Sequence, residues 1–211
     1  KTGTIARKLV KNCRETDYFK CYYGRQTKDQ GRDGVHSMIV SVIEELGLQD
    51  EFNYSTERTG TTTIRHILTG NSFIQFSGDN PDKIKGIHDP THLWFDEFDQ
   101  FTEQFYKKAL PTLRTTKAST HLIGSLNNFD ITTDHWIAKI FSPEIYTGKT
   151  KLDYETFESD QIDKFLVNFN DNYFMDQDEY YATLRSSAGG DAVLLEGMTK
   201  GSWGVNRLGS E

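Results

Sequence analysis

Residues 91–99, THLWFDEFD, are the stretch that decides the fold class of this chain. A short apolar run leads into two adjacent carboxylates, Asp96 and Glu97, and the pattern then turns polar and helical. In P-loop ATPases, a buried strand with this ending places a magnesium ligand and a catalytic base at one edge of a sheet. An ordinary strand that ends in a solvated turn gives the same pattern, because short apolar runs before acidic residues are common. Taken alone, the stretch leaves both interpretations open.

The first residues of the chain offer a second part of such a site. Lys1 and Thr2 come directly before a predicted helix over residues 4–14 and a predicted strand over residues 18–24. A Walker A loop ends in Gly-Lys-Ser/Thr where it enters a helix; its N–H groups and Lys bind phosphates, and its hydroxyl binds magnesium. No glycines precede Lys1 in this sequence, so the Walker A interpretation rests on the helix and strand that follow. Because the chain lacks an initiator Met, we expect it to begin inside a longer protein.

The composition sets limits on the class of protein. With 211 residues, the chain is expected to form one domain, or one domain with a small appendage. Aromatic residues make up 13% of it, which is enough for a sizeable core. No run approaches the roughly 18 apolar residues of a membrane span. The net charge of −7 argues mildly against an autonomous binder of duplex DNA, which needs a basic face, but it says nothing against ATP binding.

The hydrophobic pattern predicts helices and strands in alternation. Helical periods cover residues 34–48, 102–110, 134–141 and 176–186, and strand-like runs cover residues 18–24, 73–76, 91–95 and 121–125. The pair Gly70-Asn71 predicts a hairpin turn between two apolar runs. This alternation indicates an α/β sheet.

Three polar segments lie at or beyond the predicted strand ends, at residues 1–2, 96–97 and 125–127. In open parallel sheets the chemistry lies beyond the carboxyl ends of the strands. We therefore expect these segments to meet at one edge of the sheet, which is a more specific signal than any one of them.

Several further segments together resemble one family. Residues 76–87, FSGDNPDKIKGI, carry a glycine, acidic residues, a proline and then Lys-Ile-Lys-Gly ahead of the acidic strand end. The other matching positions are residues 24–27, 32–33, 35, 101–102, 113–114, 135–136, 141 and 201–204. On these residues the chain resembles the large terminase subunits of tailed bacteriophages, the ATP-driven motors that package DNA into proheads. The resemblance runs from residue 1 to about residue 204.

The resemblance implies a fold and a division of the chain. The fold is an α/β P-loop NTPase of the ASCE type, with a mainly parallel central sheet flanked by helices. Residues 1–150 would be the ATPase core, lacking the start of Walker A, and residues 151–211 a small lid or linker subdomain. The family's nuclease domain would begin after about residue 204, so no nuclease activity is expected from this chain.

The resemblance also implies roles for the two acidic residues and the first two residues. Lys1 and Thr2 would end Walker A and bind the nucleotide. Thr2 and Asp96 would be ligands of Mg²⁺, and Glu97 would be the catalytic glutamate that activates water.

Two further groups of residues take roles from the same resemblance. Ser125, Leu126 and Asn127 would form the third, coupling motif, in which Asn127 contacts the nucleotide and senses the γ-phosphate; the family often has Asn-Pro where this chain has Asn127-Asn128. Lys85 stands where related terminases have the arginine of Leu-Arg-Gly, and it would act as a catalytic cation on a neighbouring subunit. A lysine offers a point charge rather than a bidentate fork.

The cofactors implied by the resemblance are ATP and Mg²⁺. The implied partners are double-stranded DNA, the portal protein of the prohead and the small terminase subunit. We expect a monomer in isolation and a homo-oligomeric ring when the motor assembles, in the cytoplasm of the host.

Two other functions stay open at this point. Residues 96–99, DEFD, also spell the DExD box of a helicase-type ATPase, but 211 residues leave no room for the second RecA-like lobe that such helicases need. The other alternative is a non-catalytic assembly module that kept the fold and lost the site. The glycines missing before Lys1 would favour that module if the gene itself lacked them.

Overall fold

A computed structural model of the chain describes residues 1–57, 62–79, 81–127, 131–132, 134–141, 171 and 176–201. The chain divides into two compact units, Lys1–Leu126 and Asn127–Glu211. Much of the predicted lid or linker lies outside the described residues, so its boundary at residue 150 stays a prediction. No helix in the described ranges is long and apolar enough to cross a bilayer.

Within the described residues, the first unit is built on a six-stranded sheet. Its strands are β1 (Lys20–Arg25), β2 (Phe52–Asn53), β3 (Thr63–His66), β4 (Ser72–Ser77), β5 (His92–Asp96) and β6 (His121–Ser125). Their order across the sheet is β2-β3-β4-β1-β5-β6. Strands β4, β1, β5 and β6 run parallel, while β2 and β3 form an antiparallel extension on β4. The predicted α/β fold with a mainly parallel sheet is confirmed, and the carboxyl ends of the parallel strands share one edge.

The helices of the first unit are α1 (Thr2–Glu15), α2 (Lys28–Gly31), α3 (Ser37–Glu45) and α4 (Glu103–Ala109), and a π-helical turn at Arg32–His36 joins α2 to α3. Helical structure therefore begins six residues before the predicted start at residue 34. The reason is a capping box: the Thr27 hydroxyl accepts from the N–H of Gln30, whose side chain accepts from the N–H of Thr27. Helix α4 begins as predicted after Thr102, whose hydroxyl accepts from the N–H of Phe105.

One face of the sheet packs against α1 and α3. Both helices turn an apolar stripe towards the sheet, which is what their 3.6-residue period predicts. The buried side chains of this layer include Ala6, Leu9, Val10, Cys13, Val35, Ile39, Val42 and Ile43 from the helical segments and Phe19, Cys21, Tyr23, Ile64, Phe73 and Trp94 from the sheet and its borders. Full burial of a Val, Leu, Ile or Phe side chain stabilises the fold by roughly 1.5–3 kcal/mol relative to an exposed position.

The opposite face carries an aromatic cluster. Successive side chains of a strand point to opposite faces, so Trp94 belongs to the layer with α1 and α3 while Phe95 faces the other way. The ring of Phe95 lies 4.9, 5.0 and 6.1 Å from the rings of Phe98, Phe101 and Phe105. Helix α4 completes this layer, so the cluster fixes the segment that directly follows the carboxyl end of β5.

The second unit contains, among the described residues, the helices α5 (Trp136–Phe141), α6 (Gln177–Ser187) and α7 (Ala192–Lys200). The sequence pattern predicts α5 and α6 but not α7, in which Gly197 weakens the local helical signal. Asp176 and Asp191 cap α6 and α7, and each carboxylate accepts two backbone N–H groups at the helix start.

Candidate nucleotide-binding site

The carboxyl edge of the sheet gathers polar side chains from several parallel strands. Arg25 ends β1, Asp96 ends β5 and Ser125 ends β6. Asp96 and Ser125 are direct partners in the β5–β6 register, and Gly24 of β1 pairs with Phe95 of β5. The register therefore places all three side chains within reach of one another at the edge predicted to carry the chemistry.

Asp96 is the centre of this site. Its side chain is almost fully buried, and its Oδ1 accepts hydrogen bonds from the hydroxyls of Thr2 at 2.9 Å and Ser125 at 2.5 Å. A buried carboxylate is costly unless it is paired and hydrogen-bonded. Both hydroxyls come from segments that the sequence pattern assigned to the same site, so the structure brings these predicted residues together.

Lys1 completes the contact between the first residues and β6. Lys1 precedes the first turn of α1, and its Nζ donates to the backbone carbonyl of Leu126 at 2.9 Å. The N-terminus of α1 lies at the same place, and the N-terminal N–H groups of a helix favour a bound anion such as phosphate. Lys1, Thr2, Ser125 and Leu126 thus lie around Asp96.

Arg25 belongs to the same site, although the sequence pattern assigned it no role there. Its Nε lies 2.8 Å and its Nη2 2.6 Å from Oδ2 of Asp96, while its Nη1 lies 3.0 Å from Oε1 of Glu97. One guanidinium therefore bridges both acidic residues of the motif. The sequence signals were a basic residue directly after a predicted strand and the family match of residues 24–27, and the meaning of both depends on which strands become neighbours.

Glu97 follows β5 in a left-handed backbone conformation, with φ 54° and ψ 56°. This conformation costs a non-glycine residue of order 1 kcal/mol, and such strain is concentrated at functional sites. The side chain is about one-third exposed, and its Oε2 accepts from Nε2 of Gln100 at 2.8 Å. Phe98 is buried directly after it and lies against Gly124 of β6, where an added Cβ would be 2.5 Å from Cδ1 of Phe98. Packing therefore holds the strained turn in place.

Two further predicted site residues are Asn127 and Lys85. Asn127 follows Leu126 directly and is the first residue of the second unit. Lys85 lies in a 3-10 turn at Pro81–Gly86, after β4, and its side chain lies outside the described part of the structure. The roles of both residues stay predictions.

The oxygen atoms around Asp96 suit a magnesium ion. Mg²⁺ prefers carboxylate, hydroxyl, water and phosphate oxygens and is usually held by one or two carboxylates. Thr2 and Asp96 supply a hydroxyl and a carboxylate that already touch. Across the described ranges no group of three or more His, Cys, Asp or Glu side chains is placed to hold a metal.

The fold and this constellation define a class of protein. A mainly parallel sheet, a Lys-Thr pair at the start of a helix and an Asp-Glu pair at the end of a central strand are the parts of a P-loop type nucleotide-binding domain. The model of the phage terminase large subunit family matches residues 1–191, and the chain belongs to this family. The resemblance noted in the sequence is therefore confirmed.

The chain is also similar to particular members of the family. It is 27% identical over 191 residues to the PBSX phage terminase large subunit of Bacillus subtilis (strain 168), a match that covers 87% of this chain and 42% of the relative. The large terminase of a thermophilic bacteriophage, solved in complex with ADP, superposes with a TM-score of 0.70, at 14% identity, over 97% of this chain and 46% of that one. The HK97 bacteriophage large terminase gives a TM-score of 0.54, at 12% identity, over 70% of this chain and 31% of that one. The chain spans less than half the length of these relatives, and the structural matches establish the fold.

Proposed function

We propose that this chain is the ATPase motor domain of a phage terminase large subunit, which hydrolyses ATP to move double-stranded DNA into a prohead. The observation that carries the proposal is the pair of hydroxyls on Oδ1 of Asp96, from Thr2 and Ser125. These contacts join the start of α1, the acidic end of β5 and the end of β6 at one atom. An arrangement of this kind serves a nucleotide phosphate and its metal ion.

The chain's own residues divide the work of hydrolysis among them. Lys1 and the N-terminus of α1 bind the phosphates, and Thr2 and Asp96 hold Mg²⁺. When bound, Mg²⁺ would neutralise negative charge on the phosphates of the nucleotide. Glu97 orients the attacking water and takes its proton, a role that suits a carboxylate which is partly exposed beside the buried Asp96.

The coupling of hydrolysis to DNA movement passes through the last residue of β6 and the two residues after it. Ser125 contacts Asp96, and Leu126 contacts Lys1. This segment therefore contacts both the proposed metal ligand and the proposed phosphate-binding lysine. Asn127 comes next and begins the second unit. We assign γ-phosphate sensing to Asn127 and the relay of hydrolysis to residues 125–127.

Membership of the family supports the proposed partners. The motor acts on double-stranded DNA, docks on the portal protein of the prohead and receives its substrate with the help of the small terminase subunit. It works as a ring of copies in the host cytoplasm, with Lys85 of one copy completing the site of the next. Residues 1–150 form the ATPase core and residues 151–211 the lid or linker.

The test is ATP hydrolysis by a protein that carries a complete glycine-rich loop before Lys1, in the presence of DNA and proheads. Asp96→Asn should lower phosphate release at least about 100-fold, because the carboxylate that holds the metal is lost. Asp82→Asn is the matched control, since Asp82 is exposed and its ion pair with Lys108 lies on the surface. Nucleotide binding without any hydrolysis by the parent protein would instead favour a non-catalytic assembly module.

A further inference from the structure

The guanidinium of Arg25 occupies the space between the two acidic residues of the proposed metal site. It makes two contacts with Oδ2 of Asp96, at 2.6 and 2.8 Å, and a separate contact with Oε1 of Glu97 at 3.0 Å. Two hydroxyls already engage Oδ1 of Asp96. Every carboxylate oxygen of Asp96 therefore has a donor, and the donor on Oδ2 is a cation.

The position of Arg25 is determined by its surroundings. Its side chain is only 22% exposed, and the π-helical turn passes so close that a Cβ on Gly34 would lie 2.7 Å from Cζ of Arg25. A side chain at position 34 would therefore require the guanidinium of Arg25 to shift. The same turn and the β1–β5 pairing thus hold the arginine against the carboxylates.

Arg25 and a divalent ion compete for Asp96, because both are positively charged and both bind its carboxylate. A carboxylate with 2% side-chain exposure needs a compensating charge, and Arg25 supplies it. A dication that binds the same carboxylate repels the guanidinium at close range. The contact with Glu97 uses a different nitrogen, so Arg25 can give up Asp96 and keep Glu97.

We propose that Arg25 is the resident cation of the carboxylate site, which neutralises Asp96 and Glu97 in the absence of a divalent ion and is displaced from Asp96 when Mg²⁺ binds. The inference rests on the proposed function, because it takes Asp96 as a ligand of Mg²⁺. Binding of the ion at Asp96 would then affect Glu97 as well, because it changes the contacts of the arginine that orients Glu97. Arg25 is therefore a positioning residue for the catalytic glutamate.

Binding of Mn²⁺ without nucleotide, followed by electron paramagnetic resonance on the 211-residue chain, tests the exchange. Arg25→Gln should bind Mn²⁺ about tenfold more tightly than the parent, because a competing positive charge is gone. Arg25→Lys, which keeps the charge but not the fork, should fall between the two. Arg14→Gln is the matched control, since Arg14 makes a bidentate pair with Glu51 on the surface, and its Mn²⁺ affinity should equal the parent's.

Thermal unfolding gives a second measurement that needs no hydrolysis. In EDTA, Arg25→Gln should unfold at a lower temperature than the parent, and Mn²⁺ should raise its midpoint more than it raises the parent's. If Arg25→Gln fails to fold, the Mn²⁺ affinity of Arg25→Lys tests the proposal instead. An affinity of Arg25→Lys equal to the parent's counts against the proposal. Mn²⁺ binding that Asp96→Asn abolishes but Arg25→Gln leaves unchanged overturns the role of Arg25 alone. Binding unaffected by either change overturns the metal assignment of the proposed function as well.

Discussion

Asp96 and Ser125 are paired residues of the neighbouring strands β5 and β6, and the hydroxyl of Ser125 donates to Oδ1 of Asp96 at 2.5 Å. The bond links the acidic motif to the coupling motif across 29 residues of sequence. It is short and charge-assisted, which makes it stronger than a bond between two neutral groups. The pairing of β5 with β6 thus sets the position of the acidic motif relative to the coupling motif, and the Ser125–Asp96 hydrogen bond stabilises it.

Ser125→Ala should therefore weaken both the fold and the coupling. Loss of a hydrogen bond to a buried charged group is expected to lower the free energy of unfolding by about 1.5–3 kcal/mol. Urea denaturation measures this change, with Ser41→Ala as control because the hydroxyl of Ser41 bonds to Glu45 on the surface. Equal losses of unfolding free energy in the two variants would show that the Ser125–Asp96 bond contributes no more to stability than a surface hydrogen bond.

Glu97→Gln should abolish hydrolysis while ATP binding stays nearly intact. Removal of a general base lowers turnover by roughly 10²–10⁴-fold. Phosphate release and nucleotide titration, on a protein with a complete glycine-rich loop, separate the two effects. Glu103→Gln serves as control, since Glu103 pairs with Lys107 on the outer surface of α4. A Glu97→Gln protein that keeps most of its turnover removes Glu97 from the role.

Gly124→Ala should destabilise the turn that carries Glu97. The new methyl group would lie 2.5 Å from Cδ1 of Phe98, so Phe98 must move or the strand must shift. Overpacking of this kind costs about 1–3 kcal/mol. Gly86→Ala is a matched control, because none of the described atoms lies within 4 Å of the Cβ position there. Chemical denaturation of both variants should give a loss for Gly124→Ala only, and similar losses would argue against the close contact.

The stability of the chain should fall in mild acid because of His92. Burial, and then the nearby His121 and Lys8, lower the pKa of His92 from 6.5 to about 4. Between these values the unfolded chain binds more protons than the folded chain, so stability rises with pH through this window. The contribution is complete above about pH 6.5 and is lost as the pH falls towards 4, with a size of at most about 3 kcal/mol.

Urea denaturation at a series of pH values checks this prediction. His92→Gln should flatten the dependence between pH 4 and 6.5, and His88→Gln, at an exposed position, is the control. The imidazole of His92 lies between Phe19 and His121, with ring centroids 4.8 and 5.0 Å away. An unchanged profile in His92→Gln would assign the acid sensitivity to other groups.

Lys85 is predicted to act on a neighbouring subunit in the assembled ring. A cation supplied in trans to the transferring phosphoryl group is worth roughly 10³–10⁵ in rate when it is an arginine. Isolated monomers should then be nearly inactive, and mixtures of Lys85→Ala with Glu97→Gln subunits should regain some turnover on proheads. Absence of any rescue, with co-assembly demonstrated, would count against action in trans.

The sequence by itself determined the elements whose signals are local. The apolar run before Asp96 predicts β5, Thr102 predicts the start of α4, and Gly70-Asn71 predicts the hairpin between β3 and β4. In each case the physical cause of the element lies within one turn or one strand. Examples are a capped N–H group and a glycine that adopts a positive φ. The family resemblance, which rests on such local motifs, was likewise available from the residues alone.

Only the tertiary structure decided which side chains meet. Arg25 bridges Asp96, which is 71 residues away in sequence, and the adjacent Glu97, and it does so because β1 lies between β4 and β5. Strand order and register depend on pairing energies summed over the whole sheet, and a shift by one residue would turn every side chain to the other face. No local pattern encodes that choice, so the sequence predicted the acidic pair but not the cation that holds it.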